Sequence, residues 1–502
     1  MSRRACTPLR ICLMLVLPIQ QGCASANSAP AFDRAAWQQD YHLLKQTLQQ
    51  HYSHLAWMAS PQSGIDLPAL DRQTQTALQQ AHDDNAARQA IVGFQQGFHD
   101  GHFSLLTSTP NSPETGSSNE PKLRAPLQDD KLDGCAALGY EQDSKIAFSL
   151  PFETLPGFHL TSDGLSEAMR SGLADLGQAG KAAVLRIPTF SPKGYPLECQ
   201  RVWQSAVRQA GKFDSEKLFN LTDQSWFTTL GQRLGRLRAA GADTLILDVG
   251  DNSGGNDSGD AMARLLTDKT VRSAPLWMVR NKAGKAYLDQ WISDLTRDLP
   301  DSANATDKAR LQGLLQDFRQ KRAELDSQPS EDMGWVWREQ RRWAPRASYS
   351  RLIAAGYASG AVDHLEPGSY SQAVAETLFW PAQTEKLKGS WLGRVYIVTN
   401  QKTYSAAEMF VAVSRDNQVA KIVGVRTGGD GCGFMTPSDP LLLPHSKLRF
   451  RIPDCVRQRA DGGDEVAGIL PDLPLQAREG ESRRALAQRT LQAIAADILA
   501  QP

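Results

Sequence analysis

The sequence has no excess of positive or negative charge, because 55 lysine and arginine residues balance 55 aspartate and glutamate residues over 502 positions. Proteins that bind nucleic acids or anionic membranes normally carry a basic excess, so this balance argues against both classes. No apolar stretch approaches the roughly 20 residues that a membrane-spanning helix requires. We therefore expect a mature chain with no transmembrane segment and no nucleic-acid partner.

Motifs for metals and nucleotides are also missing. The cysteines do not show the paired spacing of a zinc site. The acidic, glycine-rich segment 248–255 lacks both the spacing of a calcium loop and the Gly-Lys-Ser/Thr ending of a phosphate-binding loop. We therefore expect neither a metal nor another cofactor.

The N-terminus has the pattern of a secretory signal peptide. Three arginines precede a short apolar run at 11–19, and small residues follow at 24–26. We predict cleavage after Ala26, so that residues 1–26 are removed and the mature chain is exported to the periplasm or secreted. Cys23 follows a glycine, as in a lipoprotein signal, and a chain tethered to the membrane by a lipid at Cys23 is the alternative.

Four of the seven cysteines remain after that cleavage, namely Cys135, Cys199, Cys432 and Cys455. Outside the cytosol, four cysteines suggest two disulfides, with three connectivities open. We favour Cys432–Cys455, because both residues follow predicted strands of one sheet region, and this choice leaves Cys135 to pair with Cys199.

Apolar residues recur at helical spacing near the start of the mature chain, at Trp37, Tyr41, Leu44 and Leu48 and again at Ala87, Ile91, Phe94 and Phe98. They predict an N-terminal helical domain over 27–106, whose last helix stops near Gly101. Residues 107–121 are rich in Ser, Thr, Pro, Asn and Gly and are predicted to form an exposed loop. We assign 107–180 to a linker and a small subdomain.

Predicted strands alternate with predicted helices from residue 182 onward, which indicates an α/β sheet. The strands are 182–187, 244–249, 394–399 and 421–425, and the helices include 405–415 and 482–499. We therefore predict an α/β core in two parts, 181–269 and 391–502. Residues 270–390 interrupt it as an inserted helical subdomain, which is either a lid or an inert surface insertion.

Two segments after predicted strands could carry chemistry. Asp248 to Gly255 follows a buried strand, and sites gather at such strand ends in open α/β sheets. Ser405 stands where a turn leads into a helix. Ser405 and Glu408 fit a capping box with no catalytic meaning, but the free N–H groups of a helix N-terminus also suit a nucleophile.

Two further residues are candidates of weaker individual signal. His102 follows the N-terminal helices, and an imidazole is the natural general base for a serine hydroxyl. A lone histidine is more often structural. Glu465 lies in an acidic segment, 464–472, whose carboxylates are surface groups unless another residue pairs with them.

Four motifs occur in order between about 183 and 475. D-x-R-x-N-x-G-G is matched by Asp248, Asn252, Gly254 and Gly255, S-A-x-E by Ser405, Ala406 and Glu408, G-x-x-T-x-G-x-G by Gly424, Thr427, Gly429 and Gly431, and E-x-x-G-x-x-P-D by Glu465, Gly468, Pro471 and Asp472. In these residues the chain resembles the tail-specific, or C-terminal-processing, serine peptidases of family S41, which include the tricorn core domain.

The chain departs from the processing branch of that family. Those members use a Ser–Lys dyad, but Asp430 stands in the lysine position, and Gly250 replaces the usual arginine. The tricorn-like branch instead pairs its serine with an N-terminal histidine and a glutamate, which His102 and Glu465 match. The serine that precedes the histidine in that branch is Gly101 here. No PDZ motif is recognisable.

The resemblance implies a crotonase/ClpP-like α/β core with an N-terminal helical domain and a helical insertion. It implies hydrolysis of peptide bonds in a peptide or protein substrate, with Ser405 as nucleophile, His102 as base and Glu465 in support. Backbone N–H groups of Gly254 or Gly255 and of Ala406 would form the oxyanion hole. Two alternatives are a binding protein whose active site has decayed and an amidase or esterase using the same serine.

Overall fold

The computed structural model describes residues 32–106, 131–207, 214–301, 304–327, 331–366, 368, 370–436 and 439–501. The predicted signal peptide and the predicted loop at 107–121 lie outside these residues.

The described chain contains helices and strands in a mixed order. The helices are α1 Arg34–His51, α2 Leu55–Met58, α3 Leu67–Gln80, α4 Asp84–Gln96, α5 Lys131–Ala137, α6 Pro196–Val207, α7 Ser215–Ala239, α8 Ser258–Met262, α9 Lys282–Asp298, α10 Ala305–Ser327, α11 Pro345–Ser350, α12 Gln372–Leu378, α13 Ala406–Asp416 and α14 Arg483–Leu499. The strands are β1 Ser104–Leu106, β2 Phe158–Asp163, β3 Arg170–Asp175, β4 Lys181–Arg186, β5 Thr244–Asp248, β6 Pro275–Val279, β7 Leu352–Tyr357, β8 Arg394–Thr399, β9 Lys421–Gly424, β10 Leu441–Leu442, β11 Arg449–Arg451, β12 Cys455–Arg457 and β13 Leu473–Pro474.

A seven-stranded sheet forms the centre of the fold, in the order β13-β9-β8-β5-β4-β3-β2. The five strands from β13 to β4 are parallel, and β3 and β2 continue the sheet antiparallel. Every residue of β5 is buried, as expected for a parallel strand covered on both faces. Asp248 at its end pairs in register with Val398, so the segments after β5 and β8 leave the sheet at the same edge.

Alternate residues of the central strands pack against helices on opposite faces of this sheet. On one face, Leu247 and Ile397 join a buried cluster with Phe410 of α13. On the other face, Ile246 and Val398 pack against α14. The helix predicted at 405–415 is therefore fixed to the sheet by its own apolar side.

The N-terminal helices form as predicted, with one correction. Asp33 caps α1 and Asp83 caps α4 by accepting backbone N–H groups. The predicted end of the last helix near Gly101 is wrong, because α4 ends at Gln96. The chain then reverses through His99, whose φ of 52° cannot continue a right-handed helix.

The predicted insertion at 270–390 contains helices α9 and α10, and it also contains strands β6 and β7, which the sequence analysis did not predict. Both strands pair in an antiparallel sheet with the order β12-β6-β7. Because β12 belongs to the second part of the core, the insertion is tied to the core by backbone hydrogen bonds.

Both predicted disulfides are confirmed. Cys432 is bonded to Cys455, and Cys135 is bonded to Cys199. Within the described ranges, no helix combines the length and the apolar character needed to cross a membrane.

Candidate active site

Ser405 occupies a strained turn between β8 and α13. Its φ of 53° lies in the left-handed region, which a residue with a side chain adopts only when its surroundings hold it there. The Ser405 N–H donates to Oδ1 of Asp430 at 2.9 Å. The Ser405 side chain is half-buried and makes no capping hydrogen bond, so the Oγ atom is not committed to the helix.

Glu408 does not complete a capping box with Ser405, and that interpretation of the motif is wrong. Its buried carboxylate accepts the hydroxyl of Thr427 and the backbone N–H groups of Gly429 and Asp430, the latter two at 2.8 and 2.9 Å. Burial raises the pKa of Glu408 to about 7, and the charge of Asp430 adds to this rise. The motif glutamate therefore fixes the glycine-rich loop beside Ser405.

The loop after β5 is held rigidly by side-chain hydrogen bonds. Asp248 is fully buried and accepts the backbone N–H and the hydroxyl of Ser149, both at 2.5 Å. Arg186 on the neighbouring strand donates to the Gly250 carbonyl at 2.6 Å, and its Nη1 lies 3.4 Å from Oδ1 of the Asp248 carboxylate. A guanidinium thus stands beside Asp248 although Gly250 replaces the arginine of the motif.

Gly254 brings this loop against the turn that carries Ser405. A Cβ atom at Gly254 would lie 2.6 Å from Cβ of Ser405 and 2.8 Å from the nitrogen of Ala406, and its φ is 98°. Only glycine fits this approach. The Gly254 N–H donates to Oδ1 of Asn252 at 2.8 Å, so this N–H is already engaged.

The N–H groups of Gly255 and Ala406 donate to no acceptor within the described part of the chain. Gly255 is exposed, and Ala406 is the first residue of α13, where backbone N–H groups lack partners inside the helix. Of the three predicted oxyanion donors, these two are the ones that the structure leaves free.

His102 also contacts Asp430. Its Nδ1 is 2.5 Å from the Asp430 carbonyl oxygen, and its backbone N–H donates to Asp100 at 2.9 Å. A carbonyl oxygen only accepts, so Nδ1 carries the hydrogen and the lone pair of the neutral ring is on Nε2. Burial lowers the pKa of His102 and outweighs the opposing effect of Asp100.

The structure brings Ser405 and His102 to the same residue but shows no hydrogen bond between them among the described residues. Oδ1 of Asp430 is 2.9 Å from the Ser405 nitrogen and 3.6 Å from Nδ1 of His102. The ring of His102 also packs on Gly433, where a Cβ atom would lie 2.9 Å from Nε2. The imidazole is therefore confined by Asp430 and Gly433 near the turn that carries Ser405.

Glu465 is close to this group without touching His102. Its Oε1 accepts the backbone N–H of Arg457 at 2.6 Å, and its Oε2 accepts Nε of the same arginine at 2.8 Å. Both side chains are buried. The charge of Glu465 still acts to raise the pKa of His102 through space, while Arg457 acts to lower it.

A cleft of about 510 Å³ adjoins α13. It is lined by Met409 of α13 and Glu465 from the core and by Arg272 and Tyr357 from the insertion. The insertion therefore forms one wall of a cavity next to the candidate site.

The sequence model of the family named Peptidase family S41 matches residues 181–475. This range includes all four motifs, whereas His102 precedes it. The chain belongs to peptidase family S41. It is therefore a peptidase-family hydrolase, and the resemblance inferred from the four motifs is confirmed.

The fold of this S41 chain is similar to that of mature CPAF over 92% of this chain and 96% of that one, with 16% sequence identity and a TM-score of 0.50. Mature CPAF complexed with lactacystin aligns over 93% and 98% of the two chains, with 16% identity and a TM-score of 0.51. These similarities confirm the predicted fold class. No curated protein matches this S41 chain in sequence.

Several residues around the site were not recognised from the sequence of this S41 chain. In the sequence, Asp430 stands out only because it replaces the lysine of the processing branch, and Arg457 belongs to no motif. His54 and Asp464 form a buried pair with Nδ1 and Oδ1 2.6 Å apart. No group of three or more His, Cys, Asp or Glu residues in the described ranges is arranged to hold a metal ion.

Proposed function

We propose that this chain is an exported serine peptidase in which Ser405 is the nucleophile and His102 is the general base. Glu465 supports the charge that forms on His102, and the N–H groups of Gly255 and Ala406, next to Gly254, bind the oxyanion. Membership in a peptidase family supports the reaction, and the two disulfides support a location outside the cytosol.

The observation that carries the proposal is the convergence of Ser405 and His102 on Asp430. The backbone N–H of Ser405 donates to the Asp430 carboxylate, and Nδ1 of His102 contacts the Asp430 carbonyl oxygen. No other histidine in the described ranges contacts a neighbour of Ser405 in this way. The tautomer fixed by the carbonyl leaves Nε2 free to accept a proton.

In the acylation step, Nε2 of His102 takes the hydroxyl proton as Oγ of Ser405 forms a bond to the substrate carbonyl carbon. The negative charge moves to the carbonyl oxygen, where the N–H groups of Gly255 and Ala406 donate to it. The C–N bond then breaks, and His102 returns the proton to the leaving amine nitrogen.

In the second step, water hydrolyses the acyl-enzyme. His102 takes a proton from water as the water oxygen attacks the acyl carbon, and it then returns a proton to Oγ of Ser405 as the ester bond breaks. The products are a new carboxyl terminus and a new amino terminus, and the enzyme regains its starting state.

The test is hydrolysis of an unfolded protein substrate by the mature chain and by Ser405→Ala. Mass spectrometry should find new peptide termini with the wild type and none with Ser405→Ala. The variant should fold normally, because the Ser405 hydroxyl makes no capping bond that the substitution could remove. Equal cleavage by both proteins would refute the proposal.

The same two proteins distinguish an esterase or amidase from a peptidase. If the wild type releases alcohol from small esters but leaves peptide bonds intact, the result would favour the hypothesis of an esterase. A wild-type chain that binds peptides without cutting peptides, amides or esters would favour a decayed active site.

A further inference from the structure

We propose that Asp430 is a positioning residue that joins the nucleophile to the base through its carboxylate as well as its backbone. The carboxylate holds Ser405 in its strained conformation and, when ionised, stabilises the imidazolium of His102. This inference rests on the proposed function, and it assigns to Asp430 a role that an amine at the same position could not perform.

Three contacts carry the proposal. Oδ1 of Asp430 accepts the Ser405 N–H at 2.9 Å, Oδ1 also lies 3.6 Å from Nδ1 of His102, and the Asp430 carbonyl oxygen is 2.5 Å from the same nitrogen. A lysine side chain has donors only, so it could not accept the Ser405 N–H. The carboxylate is therefore matched to this turn by its hydrogen-bonding chemistry.

Asp430 is itself held in place. Oε2 of Glu408 accepts its backbone N–H at 2.9 Å, and its side chain is largely buried against Gly101. A Cβ atom at Gly101 would lie 2.9 Å from Oδ2 of Asp430. The family serine that Gly101 replaces would therefore compete for the space that the aspartate occupies.

Asp430 is better placed than Glu465 to respond to the charge of His102. Both carboxylate oxygens of Glu465 accept hydrogen bonds from Arg457, whose positive charge opposes the effect of that glutamate on the pKa of His102. Asp430 has no such cation bonded to it within the described ranges. The carboxylate of Asp430, with Oδ1 3.6 Å from Nδ1 of His102, is thus free of a bonded arginine among the described residues.

The ionisation of Asp430 falls within the working range of a peptidase. Burial raises the pKa of Asp430 to about 7, and the charge of Asp100 adds to the rise, while the Ser405 N–H opposes it. The titratable and charged groups around it are Asp100, His102, Tyr404, Glu408, Arg457 and Glu465.

Two deprotonation steps should therefore shape the pH dependence of activity. His102 must lose its proton to act as base, so activity rises through a pKa below 6.5. Asp430 must be ionised to stabilise the imidazolium, so activity rises again through about 7. A purely structural aspartate would contribute no second step.

The experiment compares kcat and KM of wild type and Asp430→Asn on a peptide substrate between about pH 5 and pH 9. Asparagine keeps an oxygen that accepts the Ser405 N–H and removes the charge. We expect kcat to fall about 10- to 100-fold above pH 7, the size of one charged hydrogen bond, with little change in KM. The ratio of wild-type to variant kcat should shrink toward one as the pH falls below 7.

Asp223→Asn is the matched control, because burial also raises the pKa of Asp223 to about 7 and its hydrogen-bond partner is Asn256 at 3.4 Å. This variant should keep both steps of the wild-type profile. Asp430→Ala should lose more activity than Asp430→Asn, because it also leaves the Ser405 N–H without its acceptor.

A kcat ratio that stays constant across this pH range, or an Asp430→Asn variant with wild-type kcat, would overturn the role of Asp430. Neither result would contradict the proposed function as long as Ser405→Ala is inactive. Conversely, an active Ser405→Ala would refute the proposed function whatever Asp430→Asn does. Circular dichroism of each variant separates misfolding from a loss of the charge.

Discussion

Nδ1 of His54 lies 2.6 Å from Oδ1 of Asp464, and the two side chains are 0% and 1% exposed. The pair joins the N-terminal helical region to the segment that carries Glu465. Burial lowers the pKa of His54, but the charge and hydrogen bond of Asp464 outweigh it, so the net pKa is raised above 6.5. The raised pKa favours the protonated form of His54, and among the described residues only Asp464 contacts its ring nitrogens.

Below about pH 6.5, Asp464→Asn should destabilise the fold by about 3 to 5 kcal/mol, because it leaves a protonated, buried His54 without its partner. A group with a raised folded pKa contributes stability that is complete below its unfolded pKa, about 6.5, and is lost as the pH rises through the folded pKa. The difference in unfolding free energy between wild type and variant should thus be largest at acidic pH and shrink above it. Denaturant titrations at several pH values measure this, and a difference that grows with pH would contradict the pairing.

Gly254→Ala should lower kcat by at least about 10²-fold, because the new methyl group would displace Ser405 and Ala406 and with them the oxyanion donor. Gly93→Ala is the control. A Cβ atom at Gly93 meets nothing within 4 Å, and the change should stabilise α4 by about 0.5 to 1 kcal/mol with wild-type kcat. Equal kinetics in the two variants would show that the loop is not close to the reaction.

Glu465→Gln should reduce kcat roughly 10-fold, far less than a change at His102, because it removes charge and leaves the nucleophile and base in place. The negative charge of Glu465 acts to raise the pKa of His102. The acidic limb of the pH profile should therefore move to lower pH in the variant. A move to higher pH would mean that Glu465 does not act on His102 as described.

The two disulfides should differ in their effect on catalysis. Cys432–Cys455 ties the loop that carries Asp430 to the strand that carries Arg457, whereas Cys135–Cys199 joins α5 to α6. Replacing either pair with serine should cost about 2 to 4 kcal/mol of stability. Only the loss of Cys432–Cys455 should also lower kcat, as steady-state kinetics below the unfolding temperature can show.

Much of the fold could be predicted from local patterns. The apolar residues at 37, 41, 44 and 48 mark one face of α1, and the buried run at 244–249 marks β5 within one residue. Strands β2 and β7 were missed, because β2 is largely exposed at the sheet edge and lacks a strong apolar signal. Strand β7 is defined by pairing with the distant β6, as between Ile353 and Met278, whereas β2 pairs with the neighbouring β3.

The candidate site was predictable only where a motif marks it. Ser405, Gly254 and Glu465 stand in motifs, and His102 follows from the resemblance. The pair of His54 and Asp464 is separated by 410 residues, and no local pattern announces such a contact. The bond of Glu465 to Arg457 likewise depends on a turn that brings β12 back against the motif.

The most direct test of the account is the reaction of the mature chain with a fluorophosphonate, followed by mapping of the modified residue. An activated serine should give one adduct per chain, located on Ser405. Ser405→Ala should give none, and His102→Ala should label at least about 10²-fold more slowly, because the general base is lost. An unlabelled wild-type chain, or one labelled equally fast without His102, would contradict the account.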